Sequence, residues 1–332
     1  MIISKTPLRI SLAGGGTDLP SFYRFNKYGA VLSASINKYI YVTLKKHSQV
    51  FSREKFRLNY SETELVENLE KIKNPIIREC LKFLKIDERL YISTISDVPA
   101  STGLGSSSAF CVGLLNALYT FKKQRVGLKK LSEEASYIER DILKRAIGKQ
   151  DHYASVFGGL NYIKFNQNES TNVKSINLSK KNKKYLESSI IVFWTGITRS
   201  SWKILHNQNA RYLENTISLN KIKKQANELK TLLEEKKISI SKVGNLINEG
   251  WITKKTLSKN ISSKFFDNVF SKAIQSGAYG GRICGAGGGG FILFCAKPSC
   301  HEKIIKNMQQ FNLKKFDLSF GNQGTQILVN ID

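Results

Sequence analysis

Pro99-Ala100-Ser101-Thr102-Gly103-Leu104-Gly105-Ser106-Ser107-Ser108-Ala109 is the stretch on which the reading of this chain turns. Its two glycines let the backbone bend tightly with N–H groups converging, and its three serines bring hydroxyls to a point where a helix must begin. Phe110, Val112, Leu114, Leu115, Ala117, Leu118 and Phe121 follow with little polar surface between them, which predicts a buried helix. The N-terminus of such a helix presents unpaired N–H groups and the positive end of its dipole. The segment therefore predicts an anion cradle in preference to an ordinary serine-capped loop.

Competing signatures are missing from the sequence. It contains no G-x-x-x-x-G-K-[ST], no G-x-S-x-G and no pairing of H-R-D with D-F-G. Gly285, Gly287 and Gly290 do satisfy G-x-G-x-x-G, but Phe291-Ile292-Leu293-Phe294-Cys295 reads as a strand where a dinucleotide fingerprint requires a helix.

Composition narrows the class. Hydrophobic residues make up 41% of the 332 and charged residues 23%, the balance of a soluble globular protein. No apolar run approaches a membrane span, and Met1-Ile2-Ile3-Ser4-Lys5 lacks a secretory pattern, so a cytoplasmic location without membrane contact is expected. Five scattered cysteines without C-x-x-C spacing predict free thiols. Lys+Arg 52 against Asp+Glu 26 gives 52 − 26 = +26. Because the lysines are dispersed, this charge is read as a field that attracts anionic substrates such as ATP or a sugar phosphate, with no specific nucleic-acid partner.

Alternation of Ile3, Leu8, Ile10 and Leu12 with polar neighbours predicts a strand over residues 2–13, ended by Gly14-Gly15-Gly16. Strands are also predicted at Val31–Ile36, Tyr39–Leu44, Val50–Tyr60 and Arg89–Ser96, with helical spacing over Glu62–Leu84 broken at Pro75. Leu131, Ala135, Ile138 and Ile142 share a helical face with Glu139 beside it, where Glu139 alone could be an exposed ion-pair partner. Gly148-Lys149-Gln150-Asp151-His152 precedes a Gly158-Gly159 turn and strand, where Asp151 alone could be a helix cap. Gln167–Glu187 is the weakest-patterned stretch and the predicted domain boundary. Beyond it come a strand at Ser189–Thr195 and a long helical stretch over Ser201–Lys237 with a turn near Ser218–Asn220. Helices around Val243–Trp251 and Phe266–Ile274 follow, then strands at Ile292–Ala296 and Gln326–Ile331 flanking a helix from about Cys300 to Phe311.

The Pro99–Ala109 run resembles the nucleotide-phosphate loop of the GHMP kinase superfamily. Pro7-Leu8-Arg9-Ile10-Ser11-Leu12-Ala13-Gly14-Gly15-Gly16-Thr17-Asp18 and Gly285-Ala286-Gly287-Gly288-Gly289-Gly290-Phe291 are similar to that family's first and third motifs. The resemblance implies an α+β, two-domain fold: residues 1–180 like the second domain of ribosomal protein S5, and residues 181–332 ferredoxin-like. It implies ATP held by Pro99, Gly103, Leu104, Gly105, Ser106, Ser107 and Ser108, and Mg²⁺ held by Ser108 and Glu139. Asp151 would take the proton of the acceptor hydroxyl, with Arg9 keeping it ionised and stabilising the transferring charge. Gly15, Gly16, Thr17, Asp18, Lys149, Arg282, Gly287 and Gly288 would contact substrate.

Within the superfamily, galactokinase-like sequences carry G-E-H-T-D in the first motif, where this chain has Gly14-Gly15-Gly16-Thr17-Asp18. That form, the Gly148–Asp151 run and Tyr279–Gly287 resemble the branch that phosphorylates D-glycero-D-manno-heptose 7-phosphate at its anomeric hydroxyl, on the way to nucleotide-activated heptose and surface polysaccharide. Lys149, Arg199, Lys254, Lys255 and Arg282 are candidate cations for the sugar's own phosphate. The alternatives are a fucokinase-like or other hexose 1-kinase, and a catalytically silent sugar or nucleotide sensor of the same fold. Expected partners are ATP and the sugar phosphate, with a homodimer left open.

Overall fold

A computed structural model describes residues 1–50, 53–198, 204, 206 and 211–331. The predicted strand over residues 2–13 forms as β1 (Ile2–Ala13), with almost every residue buried. The two predicted strands that follow are one, β2 (Tyr28–Lys46), which bends instead of breaking. Its first half, Tyr28–Ala34, pairs with β6 (Leu160–Asn166) and its second half, Ile40–Lys46, with β5 (Leu90–Ser96). β1 runs antiparallel along both halves, and its register slips between Pro7 and Arg9, where the partner skips from Tyr39 to Ser35. Such an irregularity twists a strand locally and re-aims the side chain beside it. Here that side chain is Arg9.

β3 (Phe56–Asn59) and β4 (Thr63–Val66) extend the sheet beyond β5, β7 (Thr171–Ser175) joins β6, and the eight-stranded sheet ends on its other side at β12 (Gln326–Asn330). The helical expectation over Glu62–Lys73 fails because Glu64 is buried in β4, where its carboxylate accepts the N–H groups of Lys73 at 2.7 Å and Asn74 at 3.0 Å. A helix begins only at Pro75–Phe83: Asn74 caps it through Ile76 N and Ile77 N, both at 3.1 Å, and Pro75 occupies the first turn, where a missing N–H costs nothing. The strand expected over Val50–Tyr60 is confined to β3, with residues 51 and 52 outside the described residues.

The predicted buried helix is Ser106–Phe121, packed against β1 and β2. After the weakly patterned stretch, which holds β7 and the Ser179-capped helix Lys180–Ser188, the second half builds its own layer. β8 (Ile190–Trp194), β9 (Ala278–Ile283), β10 (Phe291–Ala296) and β11 (Lys314–Phe316) form an antiparallel sheet in the order β11-β8-β10-β9. Helices Ile240–Lys255, Lys264–Gln275 and His301–Gln309 pack on it, giving the β-α-β-β-α-β sequence of a ferredoxin-like unit. The turn expected near Ser218–Asn220 is absent. Leu219, Ile222, Ala226, Leu229 and Leu233 keep one buried phase along a single helix, Tyr212–Leu233.

The expected boundary at residue 180 separates β1–β7 from β8–β11 but does not hold for β12. β12 leaves the second half and pairs antiparallel with β1. One apolar core also crosses between the halves, joining Leu8, Leu12 and Leu114 to Val243, Ile247 and Leu293. That shared core fixes the cleft between the halves. Replacing Asn74 by Ala should lower stability by about 1 kcal/mol, measured as a shift in denaturant midpoint at constant slope.

Candidate active site

The cleft between the halves has a volume of about 1200 Å³. Its floor is the phosphate loop. Gly103 and Gly105 take φ of +87° and +80°, and Gly105 stands at the N-cap of the buried helix, turning the free N–H groups of Ser106–Ser108 toward the cleft. Gly105 also has to be bare, since a Cβ there would stand 3.3 Å from the Arg9 guanidinium. Among the described residues Ser106 Oγ is buried without a partner, as an acceptor-seeking hydroxyl beside a phosphate would be. At the far end Ile40, Tyr60, Ile76, Val98 and Phe110 give the cleft an apolar wall.

Arg9 is 3% exposed and commits its guanidinium to two partners. Nε and Nη2 donate to the two carboxylate oxygens of Asp151 at 2.7 and 2.5 Å, and Nη1 donates to the Gly103 carbonyl at 2.7 Å. One fork thus ties the carboxylate to the phosphate loop. Asp151 sits in the first turn of helix Gln150–Phe157, and one residue later His152 points to a different side. Its Nε2 lies 2.9 Å from Glu139 Oε2.

Glu139 is fully buried in a single turn of π-helix, Ile138–Ile142, that extends helix Leu128–Tyr137. Such turns insert one extra residue and recur at functional sites. Ser107 Oγ donates to Glu139 Oε1 at 2.6 Å, and Arg145 Nη1 reaches the same oxygen at 2.5 Å and Ser107 Oγ at 2.8 Å. Burial pushes the Glu139 carboxyl up, but the His152 hydrogen bond, the His152 and Arg145 charges and the Ser107 hydroxyl outweigh it and bring it down to about 2. Asp18 behaves oppositely. Burial first and the Asp151 charge second raise its carboxyl, against hydrogen bonds from Gly16 N–H at 3.0 Å and Gln150 N–H at 3.3 Å.

Residues 72–159 match the model for the GHMP kinases N terminal domain and residues 229–313 that for the GHMP kinases C terminal. Over 338 aligned residues, 98% of each chain, the sequence is 30% identical to the D-glycero-alpha-D-manno-heptose 7-phosphate kinase of Campylobacter jejuni. The chain belongs to the GHMP kinases. It is also 25% identical to the galactokinase of Pyrococcus furiosus over 87% of both chains. Superposed on the crystal structure of a D-glycero-D-manno-heptose 1-phosphate kinase from Bacteroides thetaiotaomicron it gives a TM-score of 0.82, with 25% identity and full coverage of both chains.

In this GHMP kinase, which as such uses ATP, several expected residues stand elsewhere. Ser107, one position before the expected Ser108, supplies the hydroxyl at Glu139, because helix phase separates neighbouring serines by about 100°. Lys149 is 2% exposed and turned out of the cleft: its Nζ reaches the Glu169 carbonyl and carboxylate, each at 3.0 Å, and Glu133 Oε2 at 3.4 Å. Thr17 is a latch for its own turn, its hydroxyl donating to Gly14 O at 2.8 Å and Ala30 O at 2.9 Å. Gly287 and Gly288 pack on the turn at Ile261, whose carbonyl accepts Gly288 N–H at 2.8 Å, and it is Gly285 and Ala286 that line the cleft. A Cβ on Gly285 would lie 2.7 Å from Gly103 O, so the third motif serves to let two backbones touch. Leu104 is wholly buried and gives the cleft no side chain, and its carbonyl accepts Arg9 N–H at 3.0 Å.

Lys255 pairs with Asp267 at 2.8 Å near the surface, whereas Lys254 reaches the Gly285 carbonyl at 2.6 Å inside the cleft. Arg199 lies outside the described residues. Pro99, Gly103, Gly105, Ser106, Ser108, Gly16 and Asp18 all line the cleft, and Gly15 and Arg282 stand beside its lining residues Gln150 and Lys254. Sequence reasoning missed His152, Arg145 and Gln150. Only the adjacency of His152 to Asp151 hinted at a role.

The depressed Glu139 carboxyl contributes stability that is complete above its ordinary value of 4.5 and is lost as pH falls toward about 2. The stability gap between the natural chain and Glu139→Gln should therefore narrow by about 2 kcal/mol between about pH 7 and about pH 3, out of roughly 3 kcal/mol for the full shift. Urea midpoints at the two pH values check this, and an unchanged gap would contradict the ionised state of Glu139.

Proposed function

We propose that this protein is an ATP-dependent kinase that transfers the γ-phosphate to the anomeric hydroxyl of D-glycero-D-manno-heptose 7-phosphate, giving the 1,7-bisphosphate for nucleotide-activated heptose. The observation that carries the phosphoryl-transfer reading is the Arg9 fork, which fixes the Asp151 carboxylate against the Gly103 carbonyl of the phosphate loop. The substrate branch draws support from the D-glycero-alpha-D-manno-heptose 7-phosphate kinase of Campylobacter jejuni, a relative that aligns over 98% of each chain.

In this reading the N–H groups at the start of helix Ser106–Phe121 hold the nucleotide phosphates. The acceptor hydroxyl lies against Asp151. As its oxygen bonds to the γ-phosphorus, the proton passes to the Asp151 carboxylate, and the bond from phosphorus to the bridging oxygen breaks with its electron pair leaving on ADP. Arg9, bound to that carboxylate, holds it in place and lies close enough to the phosphate loop to offset charge on the migrating group.

Ser107 and Glu139 fit a Mg²⁺ ion, since both offer hard oxygens and the carboxylate is already ionised. Among the described residues no three His, Cys, Asp or Glu side chains are grouped to cage a metal, so the remaining ligands would be nucleotide oxygens and water. Bound there, the ion would neutralise phosphate charge.

Asp151→Asn should lower kcat by roughly 10²- to 10⁴-fold while nucleotide affinity, measured by calorimetry, stays within about twofold. Ser107→Ala should raise the Mg²⁺ concentration for half-maximal rate by about tenfold or more, a larger shift than Ser108→Ala produces. The reverse ranking would return the metal to Ser108. Product from heptose 7-phosphate, read by phosphorus NMR, tests the reaction itself.

A further inference from the structure

Three nitrogen donors from three segments meet over the bare Cα of Gly15. A carbon placed where a Cβ would stand lies 3.6 Å from Gln150 Nε2, 3.7 Å from Arg282 Nη2 and 3.7 Å from Lys254 Nζ. The first comes from the start of helix Gln150–Phe157, the second from β9 and the third from the last turn of helix Ile240–Lys255.

Arg282 is 5% exposed and Lys254 4%. Among the described residues no carboxylate forms an ion pair with Arg282, and its Nε has no hydrogen-bond partner. Burial, the largest influence, and the Arg9 charge depress its ionisation to about 10, against an upward pull from Cys284. A buried guanidinium left in this state is costly unless an anion joins it. The nearby acids of the cleft are already engaged: Asp151 holds Arg9, and Asp18 accepts from Gly16 N–H and Gln150. Lys254 Nζ donates to the Gly285 carbonyl at 2.6 Å, which keeps the ammonium at the edge of the cleft.

We infer that these three donors receive a second anionic group of the acceptor, a phosphate monoester on the sugar remote from the hydroxyl that is phosphorylated. The inference rests on the kinase reading above and deepens it. The ligand supplies the negative charge that no carboxylate of the described residues brings to Arg282. Arg282 and Lys254 give charge-assisted hydrogen bonds to phosphate oxygens, and Gln150 adds a neutral donor.

The test fills the site from within. Gly15 does not have the left-handed backbone that glycine favours, and a Cβ there would meet only ordinary contacts, so Gly15→Glu starts an acidic side chain at the point where Gln150, Arg282 and Lys254 converge. Kinetics are measured on heptose 7-phosphate and mannose 6-phosphate against the corresponding free sugars, for the natural chain, Gly15→Glu and Lys254→Met. The natural chain should prefer the phosphorylated sugar in kcat/KM, and Gly15→Glu should reduce that preference by about 100-fold or more, mostly through KM. Lys254→Met should reduce it by about tenfold.

In parallel, calorimetry with saturating ADP measures inorganic phosphate. Binding should be present in the natural chain and lost in Gly15→Glu. If the variants fold and bind ADP yet keep the sugar-phosphate preference, or keep phosphate binding, the inference is overturned while the kinase reading stands. If the natural chain transfers phosphate to no sugar, the kinase reading fails and the calorimetric comparison alone decides the anion site.

Discussion

The Arg9 guanidinium is the constraint from which the rest of the site follows. It is buried, and a buried cation is tolerated only where its donors are satisfied and its charge is met. Asp151 meets the charge and the Gly103 carbonyl takes a third donor. Satisfying one side chain therefore fixes three segments at once: the strand that carries it, the helix start that carries the carboxylate, and the loop that turns its N–H groups into the cleft. The register slip in β1 beside Arg9 belongs to the same solution, since an unbroken ladder would leave the β2 partner at Arg9 out of step with the bend in β2.

Four buried Lys or Arg side chains among the described residues show four ways of handling the same cost. Arg9 is paired in a fork, and Lys149 is locked to Glu169 and Glu133 where it braces the chain just before Gln150 and Asp151. Lys254 has the Gly285 carbonyl, and Arg282 has no carboxylate pair. The sequence alone ranks these four by nothing except proximity to a motif. Their differing surroundings separate a brace at Lys149 and a clamp at Arg9 from the two side chains that stand beside Gly15.

What could be read from residues and what could not divides along a physical line. Motifs whose chemistry is local were legible: the glycine and serine loop, the buried helix behind it, and the strand leading to Arg9 all announce themselves by backbone need and apolar spacing. Features set by distant partners were not. Glu64 pulls the backbone at Lys73 and Asn74 onto a strand, which overrides helical spacing across Glu62–Lys73. The choice between Ser107 and Ser108 depends on helix phase relative to a π-turn that no periodicity marks. Lys149 follows Gly148 in the motif and still turns away, because its partners lie on the far side of the helix start.

The pairing of β12 with β1 joins segments separated by nearly the whole described chain, as in Ile3 with Val329. Until that late strand arrives, β1 keeps one edge of unpaired N–H and C=O groups, while its other edge can already pair with β2. The first sheet is thus completed last at the very strand that carries Arg9. Such long-range closure slows folding and leaves an open edge that a second nascent chain can occupy, so the architecture that secures the buried arginine also makes its strand the point of greatest exposure to misassembly.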